Sequence, residues 1–349
     1  MIFLKVPDWN FGASKRPFTK TVGKAQALWN CQNRRSVAAN QIKEAVGKKL
    51  KTPGVTRWNS FYDSCVMLHD VLVDPDKKDA LNKIISKQAI GLPFYDVDID
   101  LLAQYCKIMQ PVATCLDILQ SEENAFMGIL LPNLRLMQEQ LTSLRTDTSI
   151  KEGQALVNYL LENPHDANIA FSGRFEHMFQ DEDLLMATAL HPHFKLVVVG
   201  HICPDKKEVI RERVINEVRN KVDLVVNAVD VEQPVSRTDR FKHWKGQGEV
   251  IEGGAQNGLK SEIEGTYASW NRGSVDSEIS ISCNHFPLLQ RSAWLHIFSK
   301  YNTPLPSSAA VERMFSFGSD ILRPKRSTLT ADNFETLVFV KGNSHLICK

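Results

Sequence analysis

The sequence predicts a mainly α-helical protein with few or no strands. Apolar residues recur at three-to-four spacing over much of the chain, which places them on one side of a helix. Several of these stretches open on residues that are typical of helix starts. With 349 residues, of which 43% are hydrophobic and 23% charged, the chain is long enough for two or three folded units with a sizeable core.

Composition argues against several classes of protein. No apolar run approaches membrane-spanning length, so we expect no membrane partner. The first residues lack the long apolar region and the cleavage site of a signal peptide. The seven cysteines are an odd number and are widely spread, which favours reduced thiols in an intracellular protein over a disulfide framework.

The N-terminal segment, residues 1–52, is strongly basic. The first 60 residues hold twelve Lys or Arg against two acidic residues, a balance of +10 in a chain whose net charge is +2, so the remaining residues carry −8. A basic arm on a mildly acidic body suggests a nucleic-acid contact through Lys48, Lys49 and Lys51. We expect this segment to be partly disordered, with little order before about residue 22 and two short helices after it.

Residues 53–227 are predicted to form a helical domain. Apolar spacing predicts helices over 60–73, 100–119, 122–146, 150–162 and 168–179, the second broken or bent at Pro111 and the third bent at Pro132. A further amphipathic helix begins at Pro204. Residues 228–282 lose this periodicity and hold seven of the eighteen glycines, so we expect a disordered linker there.

Three histidines and a cysteine lie close together in the sequence and invite a zinc interpretation. His191 and His193 are two residues apart, and so are His201 and Cys203. Structural zinc sites usually show Cys-x2–4-Cys or His-x3–5-His spacing, which neither pair has. We therefore predict no metal site.

A pair of helices is predicted in the C-terminal region, residues 283–349. Ser307 and Ser308 are typical of a helix start, and Thr330 is typical of a second one that stops at Gly342 and Asn343. The apolar residues of the pair recur at helical spacing and form stripes: Val311, Met314, Phe315, Ile321, Leu322, Phe334, Leu337 and Val338. Three cations fall on the predicted turn between the helices: Arg323, Lys325 and Arg326.

The run PLPSSAAVERMFS at 304–316, followed by Lys325 and Arg326 and by FETL at 334–337, resembles the C-terminal dimerisation region of hAT superfamily transposases. The resemblance implies that 283–349 is the C-terminal remnant of an RNase H-like core and that the apolar stripes serve dimerisation. It also implies that Glu312 corresponds to the last member of that core's acidic triad. From the residues alone, Glu312 is equally typical of a favourable surface charge in the first turn of a helix.

Two further stretches resemble the same family. TRWNS at 56–60 is similar to the segment that opens the family's helical insertion domain, which implies that 53–227 is that domain. Arg57 and Trp58 would then contribute a phosphate contact and a stacking platform for a displaced base. The alternative for Trp58 is a buried side chain that closes a helix start. The third stretch is LHPHFKL at 190–196.

The resemblance implies a transposase-derived protein that dimerises and is not an enzyme. In the family, two more acidic residues and a BED-type zinc finger precede the Arg-Trp pair, whereas only 56 residues precede Arg57 here and they hold Asp8 and Glu44 on no recognisable strand. We therefore expect Glu312 to be a relic that is inactive alone. No cofactor is expected, and Mg²⁺ would matter only in a complete transposase.

Two alternatives stay open. The chain could be part of an active hAT transposase truncated at its N-terminus, or a DNA-binding accessory protein that uses its basic N-terminal segment. The expected partner is a second copy or a related hAT protein, with DNA as a further candidate. The expected location is the nucleus, or otherwise the cytoplasm.

Overall fold

The structure is a computed structural model that describes residues 15–54, 59–121, 125–162, 170–231, 252–273, 280–322 and 329–344. These residues are mainly helical and hold no strand, which confirms the predicted mainly-α class. They divide into two compact units, unit 1 (Met1–Ile118 with Asn133–Asp181) and unit 2 (Leu119–Pro132 with Glu182–Lys349). The predicted 53–227 domain is therefore shared between two units rather than being one. No helix in the described ranges is both long and apolar enough to cross a membrane.

Unit 1 is built from the first eight helices, of which α5 and α6 cross the boundary with unit 2. They are α1 (Lys15–Arg34), α2 (Ser36–Val46), α3 (Ser60–Val73), α4 (Pro75–Lys87), α5 (Asp96–Leu119), α6 (Leu130–Ser143), α7 (Gln154–Leu161) and α8 (Phe171–Phe175). Its core includes a ladder of edge-to-face rings in which Phe61 lies 5.7 Å from both Trp29 and Tyr105, measured between ring centroids. α5 continues through Pro111 without a break.

The expectation of little order before residue 22 is wrong from Lys15 onward, because α1 begins there. Phe18 and Thr21 are buried, and the Thr21 hydroxyl donates to the Asp98 carboxylate at 2.7 Å. Lys24 pairs with the same carboxylate at 2.6 Å. Burial alone would raise the pKa of Asp98, but the hydrogen bonds from Lys24, the Tyr95 amide and Thr21 outweigh burial and lower it. A part-buried ion pair therefore joins α1 to the start of α5.

Unit 2 contains the remaining helices. They are α9 (Glu182–Leu190), α10 (Lys195–Ile202), α11 (Lys207–Val231), α12 (Glu252–Arg272), α13 (Arg291–Asn302), α14 (Ala309–Ile321) and α15 (Ala331–Gly342). Aromatic rings form much of its core: Trp294 packs against Tyr267 at 5.6 Å and against Trp270 at 6.1 Å, between ring centroids. Phe286 and Phe298 extend this cluster with a centroid separation of 5.0 Å.

The predicted disordered linker over 228–282 is wrong for two stretches, because α11 continues to Val231 and α12 occupies 252–272. Glycine lowers the helix propensity of α12, but Ile263, Tyr267 and Trp270 recur at helical spacing and the first two are buried. The Trp270 indole N–H donates to the carbonyl of His285 at 2.7 Å. Tertiary burial thus overrides a composition that is typical of disorder.

Lys195 holds the C-terminal end of α12. Its backbone is left-handed, with φ of 56°, and its side chain is buried. The ammonium donates to the carbonyls of Trp270 at 2.7 Å and Gly273 at 2.5 Å, and it lies 4.8 Å from the centre of the Trp270 indole. A cation at the last carbonyls of a helix offsets the partial negative charge there.

The buried side chain of Asn302 joins three segments of unit 2 at the end of α13. Its Oδ1 accepts from the amide of Gly128 at 2.8 Å, and its Nδ2 donates to the carbonyl of Ala187 in α9 at 3.2 Å. The Thr188 hydroxyl donates to the Gly128 carbonyl at 3.3 Å. The Ala187 carbonyl and the Asn302 side-chain amide lie so close to Gly128 that position 128 has no space for a side chain.

Gly128→Ala is expected to destabilise the protein by about 2–4 kcal/mol. An added Cβ would lie 2.5 Å from the Ala187 oxygen and 2.7 Å from Asn302 Oδ1, so the surrounding backbone must shift and its hydrogen bonds weaken. The measurement is denaturant unfolding followed by circular dichroism. Gly265→Ala in α12 is the matched control, because its Cβ meets nothing within 4 Å and alanine should gain about 0.5–1 kcal/mol there. Equal stability of the two variants would contradict this account.

Candidate dimerisation surface

The predicted C-terminal helix pair is present, and its two helices pack on each other. The contact depends on a glycine: a Cβ at Gly318 would lie 3.2 Å from the end of the Phe334 ring. Further along, the Lys341 ammonium lies 3.3 Å from the Asp320 carboxylate and 5.2 Å from the centre of the Phe317 ring. We call α14 and α15 together the C-terminal hairpin.

The two helices of the hairpin begin directly after the serines and the threonine that were predicted to mark their starts. The Thr330 hydroxyl accepts from the amide of Asn333 at 3.4 Å, so its predicted capping role is confirmed. At the start of α14, the two serines do not both accept a hydrogen bond from a backbone amide, as a helix cap would. Ser307 accepts from the Ala309 amide at 3.4 Å, whereas Ser308 donates its hydroxyl to Glu312 at 2.9 Å.

Most of the predicted dimerisation residues are exposed rather than packed inside the chain. Phe315 is 70% exposed, and Val311, Met314, Leu322 and Leu337 are between 41% and 53% exposed. The other three predicted residues are less exposed. Ile321 is buried, and Phe334 and Val338 are half-buried.

Two exposed apolar residues of α15 are missing from the predicted stripe, namely Phe339 at 66% exposure and Val340 at 45%. A three-to-four rule that begins at Phe334 selects Leu337 and Val338 and passes over them. The signal that could have found them is the continuous apolar run 337–340, which covers the whole circumference of a helix turn. A helix turn that is apolar all round is typically packed against other parts of the protein on more than one side. In α15, however, no residue is buried.

Glu312 lies in the first turn of α14 with its side chain exposed. Its carboxylate accepts from Ser308, four residues before it. Within the described ranges, no three His, Cys, Asp or Glu side chains come together as a candidate metal-binding group. The described structure therefore places Glu312 at a helix start, and the catalytic triad implied by the family resemblance stays a prediction.

Three lysines that were predicted to contact nucleic acid, Lys48, Lys49 and Lys51, lie on the surface of unit 1. Lys48 and Lys49 follow Gly47, which ends α2 with a left-handed φ of 82°. Lys51 is exposed too, with its ammonium 3.6 Å from the Asp63 carboxylate. The remaining predicted nucleic-acid contacts lie outside the described residues: Arg57, Trp58, Arg323, Lys325 and Arg326.

His191 is a buried part of the aromatic core of unit 2. Its ring stacks on Phe194 with centroids 4.7 Å apart, and its Nδ1 accepts from the amide of His193 at 3.4 Å. Burial, assisted by the nearby His193, lowers the pKa of His191 to about 3. The imidazole is therefore neutral at physiological pH and contributes packing.

Protonation of His191 should destabilise the protein in acid. The stability it contributes is complete above pH 6.5 and is lost as the pH falls from 6.5 toward about 3, because the unfolded chain takes up the proton first. Between pH 7 and pH 4 this amounts to about 3 kcal/mol of unfolding free energy. His191→Asn keeps an acceptor near Nδ1 but cannot titrate, so its stability should fall less over the same interval.

Urea unfolding of the wild type and His191→Asn at pH 7 and pH 4 measures this difference. His201→Asn is the control, because His201 is exposed. A wild type and a His191→Asn variant that lose the same free energy between the two pH values would show that His191 is not the titrating group.

Neither a protein-family model nor a curated protein matches the chain.

Proposed function

We propose that this chain acts by protein dimerisation, with two copies associating through their C-terminal hairpins. The observation that carries the proposal is the exposure of seven large apolar side chains, six on two helices that pack on each other and one directly after the first of them. They are Val311, Met314, Phe315, Leu322, Leu337, Phe339 and Val340.

The size of this surface fits one protein partner. Large apolar side chains carry on the order of 150–200 Å² each, so these seven, about half exposed, offer roughly 700 Å². A standard interface buries about 800 Å² on each partner. Single apolar residues scattered over a surface need no partner, whereas seven exposed ones on two helices in contact favour an interaction site.

A second copy of the chain is the partner that we propose. Most homodimers use the same patch on both subunits, which requires only that one surface be self-complementary. The hairpin offers such a surface at residues 337–340 of α15, where an apolar turn lets the helix pack on its own α14 through one side and on a partner through another. The resemblance of 304–316 and 334–337 to the hAT dimerisation region supports the same partner.

This proposal assigns Glu312 no catalytic step in the chain. The alternative from the enzyme class, an active transposase with further acidic residues upstream, predicts metal-dependent strand cleavage that Glu312→Gln abolishes. Cleavage of a DNA hairpin or duplex by the purified chain with Mg²⁺, lost in Glu312→Gln, would replace our assignment with that one.

Phe315→Glu and Phe339→Glu are each expected to weaken dimerisation at least tenfold, because a carboxylate would have to be desolvated within an apolar interface. Sedimentation equilibrium at micromolar concentration should show the wild type at twice its chain mass of 39.4 kDa and both variants shifted toward 39.4 kDa.

Leu288→Glu is the matched control for these variants. Leu288 is 81% exposed, the highest value for a large apolar residue in the described ranges, and lies outside the hairpin, so its substitution should leave the dimer intact. A wild-type chain that is monomeric at micromolar concentration, or a Leu288→Glu variant that dissociates as readily as Phe315→Glu, would rule out the proposed surface.

The exposed lysines of unit 1 favour nucleic-acid binding as a second candidate function. Lys48 and Lys49 follow the end of α2 on the surface, in a segment whose acidic residues number two. Clustered cations that neutralise phosphates release counterions, so binding of this kind weakens steeply as salt is added.

Lys49→Glu should weaken binding of a DNA duplex and reduce the salt dependence of its affinity by about one to two phosphate contacts. Fluorescence anisotropy between 50 and about 200 mM salt measures both quantities. Lys151→Glu, an equal change of charge at an exposed residue of unit 1, should leave them unchanged. Binding that does not respond to salt, or that falls equally in both variants, would eliminate this second function.

A further inference from the structure

Two hydrogen bonds join the start of α14, with the residues just before it, to Leu119 and Gln120 at the C-terminal end of α5. The Ser307 hydroxyl donates to the carbonyl of Leu119, the last residue of α5, at 2.7 Å. Six residues further on, the Arg313 guanidinium donates to the carbonyl of Gln120 at 3.0 Å. We call this pair of hydrogen bonds the α5 clasp.

The clasp is chemically favourable because it satisfies groups that a helix cannot satisfy by itself. The last carbonyls of an α-helix have no partner within the helix, and together they carry a partial negative charge. A hydroxyl donor and a guanidinium are suitable partners for them, and the bond from the charged group is the stronger of the two. Ala309 lies between the two donors and is buried, so the same part of α14 is also packed.

The clasp residue Arg313 and the exposed apolar residues lie in the same two turns of α14, and Ser307 lies just before them. Arg313 lies between Val311 and Phe315 in the sequence, and neighbouring residues point about 100° apart around a helix. Bonds at positions 307 and 313 to Leu119 and Gln120 therefore restrain the rotation of α14 about its own axis. If α14 rotated by one residue, Phe315 would turn away from the direction it now faces.

We propose that Ser307 and Arg313 are positioning residues for dimerisation. By holding α14 on the end of α5, they present Val311, Met314 and Phe315 to the second copy in one orientation, although neither donor belongs to the apolar face itself. This inference rests on the proposed dimerisation through the C-terminal hairpin. It adds that the affinity of the dimer depends on hydrogen bonds made within each subunit.

Arg313→Ala is expected to weaken the dimer about tenfold, and Ser307→Ala by a smaller factor, while every apolar residue of the surface is kept. Arg313→Lys retains a charged donor for the Gln120 carbonyl and should restore affinity to within about threefold of the wild type. Arg272→Ala removes an exposed cation at the end of α12 and is the control. Sedimentation equilibrium gives the dissociation constants.

Hydrogen exchange of the amides of 311–316, measured on dilute monomer, tests whether the clasp holds α14 in place independently of whether the chain dimerises. We expect Arg313→Ala to speed exchange there and Arg313→Lys to return it toward the wild-type rate. Faster exchange with an unchanged dimer constant would overturn the inference and leave the proposed dimerisation standing. Unchanged exchange in Arg313→Ala would show that no clasp operates, and a monomeric wild type would overturn both proposals.

Discussion

The arrangement of unit 2 depends on one buried side-chain amide, that of Asn302. An amide offers a donor and an acceptor on one rigid group, and Asn302 uses both, on the Gly128 amide and the Ala187 carbonyl. Removing either partner would leave a buried polar atom without a hydrogen bond, which costs more than the bond itself contributes. The end of α13 is therefore fixed in place, and the segment that leads from it into α14 begins from a fixed point.

From that point the chain reaches a hairpin whose apolar residues exceed what it can bury by itself. α14 and α15 cover one face of each other through Gly318 and Phe334, and Ile321 is buried. Two helices in contact leave their outer faces open, and on this hairpin those faces carry Phe315 and Phe339. The Ser307 and Arg313 hydrogen bonds hold the hairpin at its base without covering it. An anchored but uncovered apolar surface is the geometry that a dimer interface requires.

Local sequence rules predicted what local physics determines. Periodicity identified the helical class, and Thr330 marked a helix start correctly, since capping involves residues three apart. The same rules failed at α12. Its glycines suggested disorder, but the segment is helical and buries Tyr267. They could not foresee the bonds of Asn302 or Lys195, whose partners lie 75 or more residues away and become neighbours only in the folded chain. Phe339 was missed because a single apolar stripe was assumed for α15, whereas the turn 337–340 is apolar on all sides.

Glu312 shows why a residue type suggestive of chemistry needs its surroundings before it is given a role. A carboxylate in the first turn of a helix lies near backbone N–H groups and the positive end of the helix dipole, so it stabilises the helix whether or not it binds a metal. Here it also accepts from Ser308, which leads into the same turn. These two interactions are sufficient reason for a carboxylate at position 312, in a helix whose other side exposes apolar residues. A metal-binding role would require further acidic ligands, because a two-metal site is held by several carboxylates and cannot be built from one.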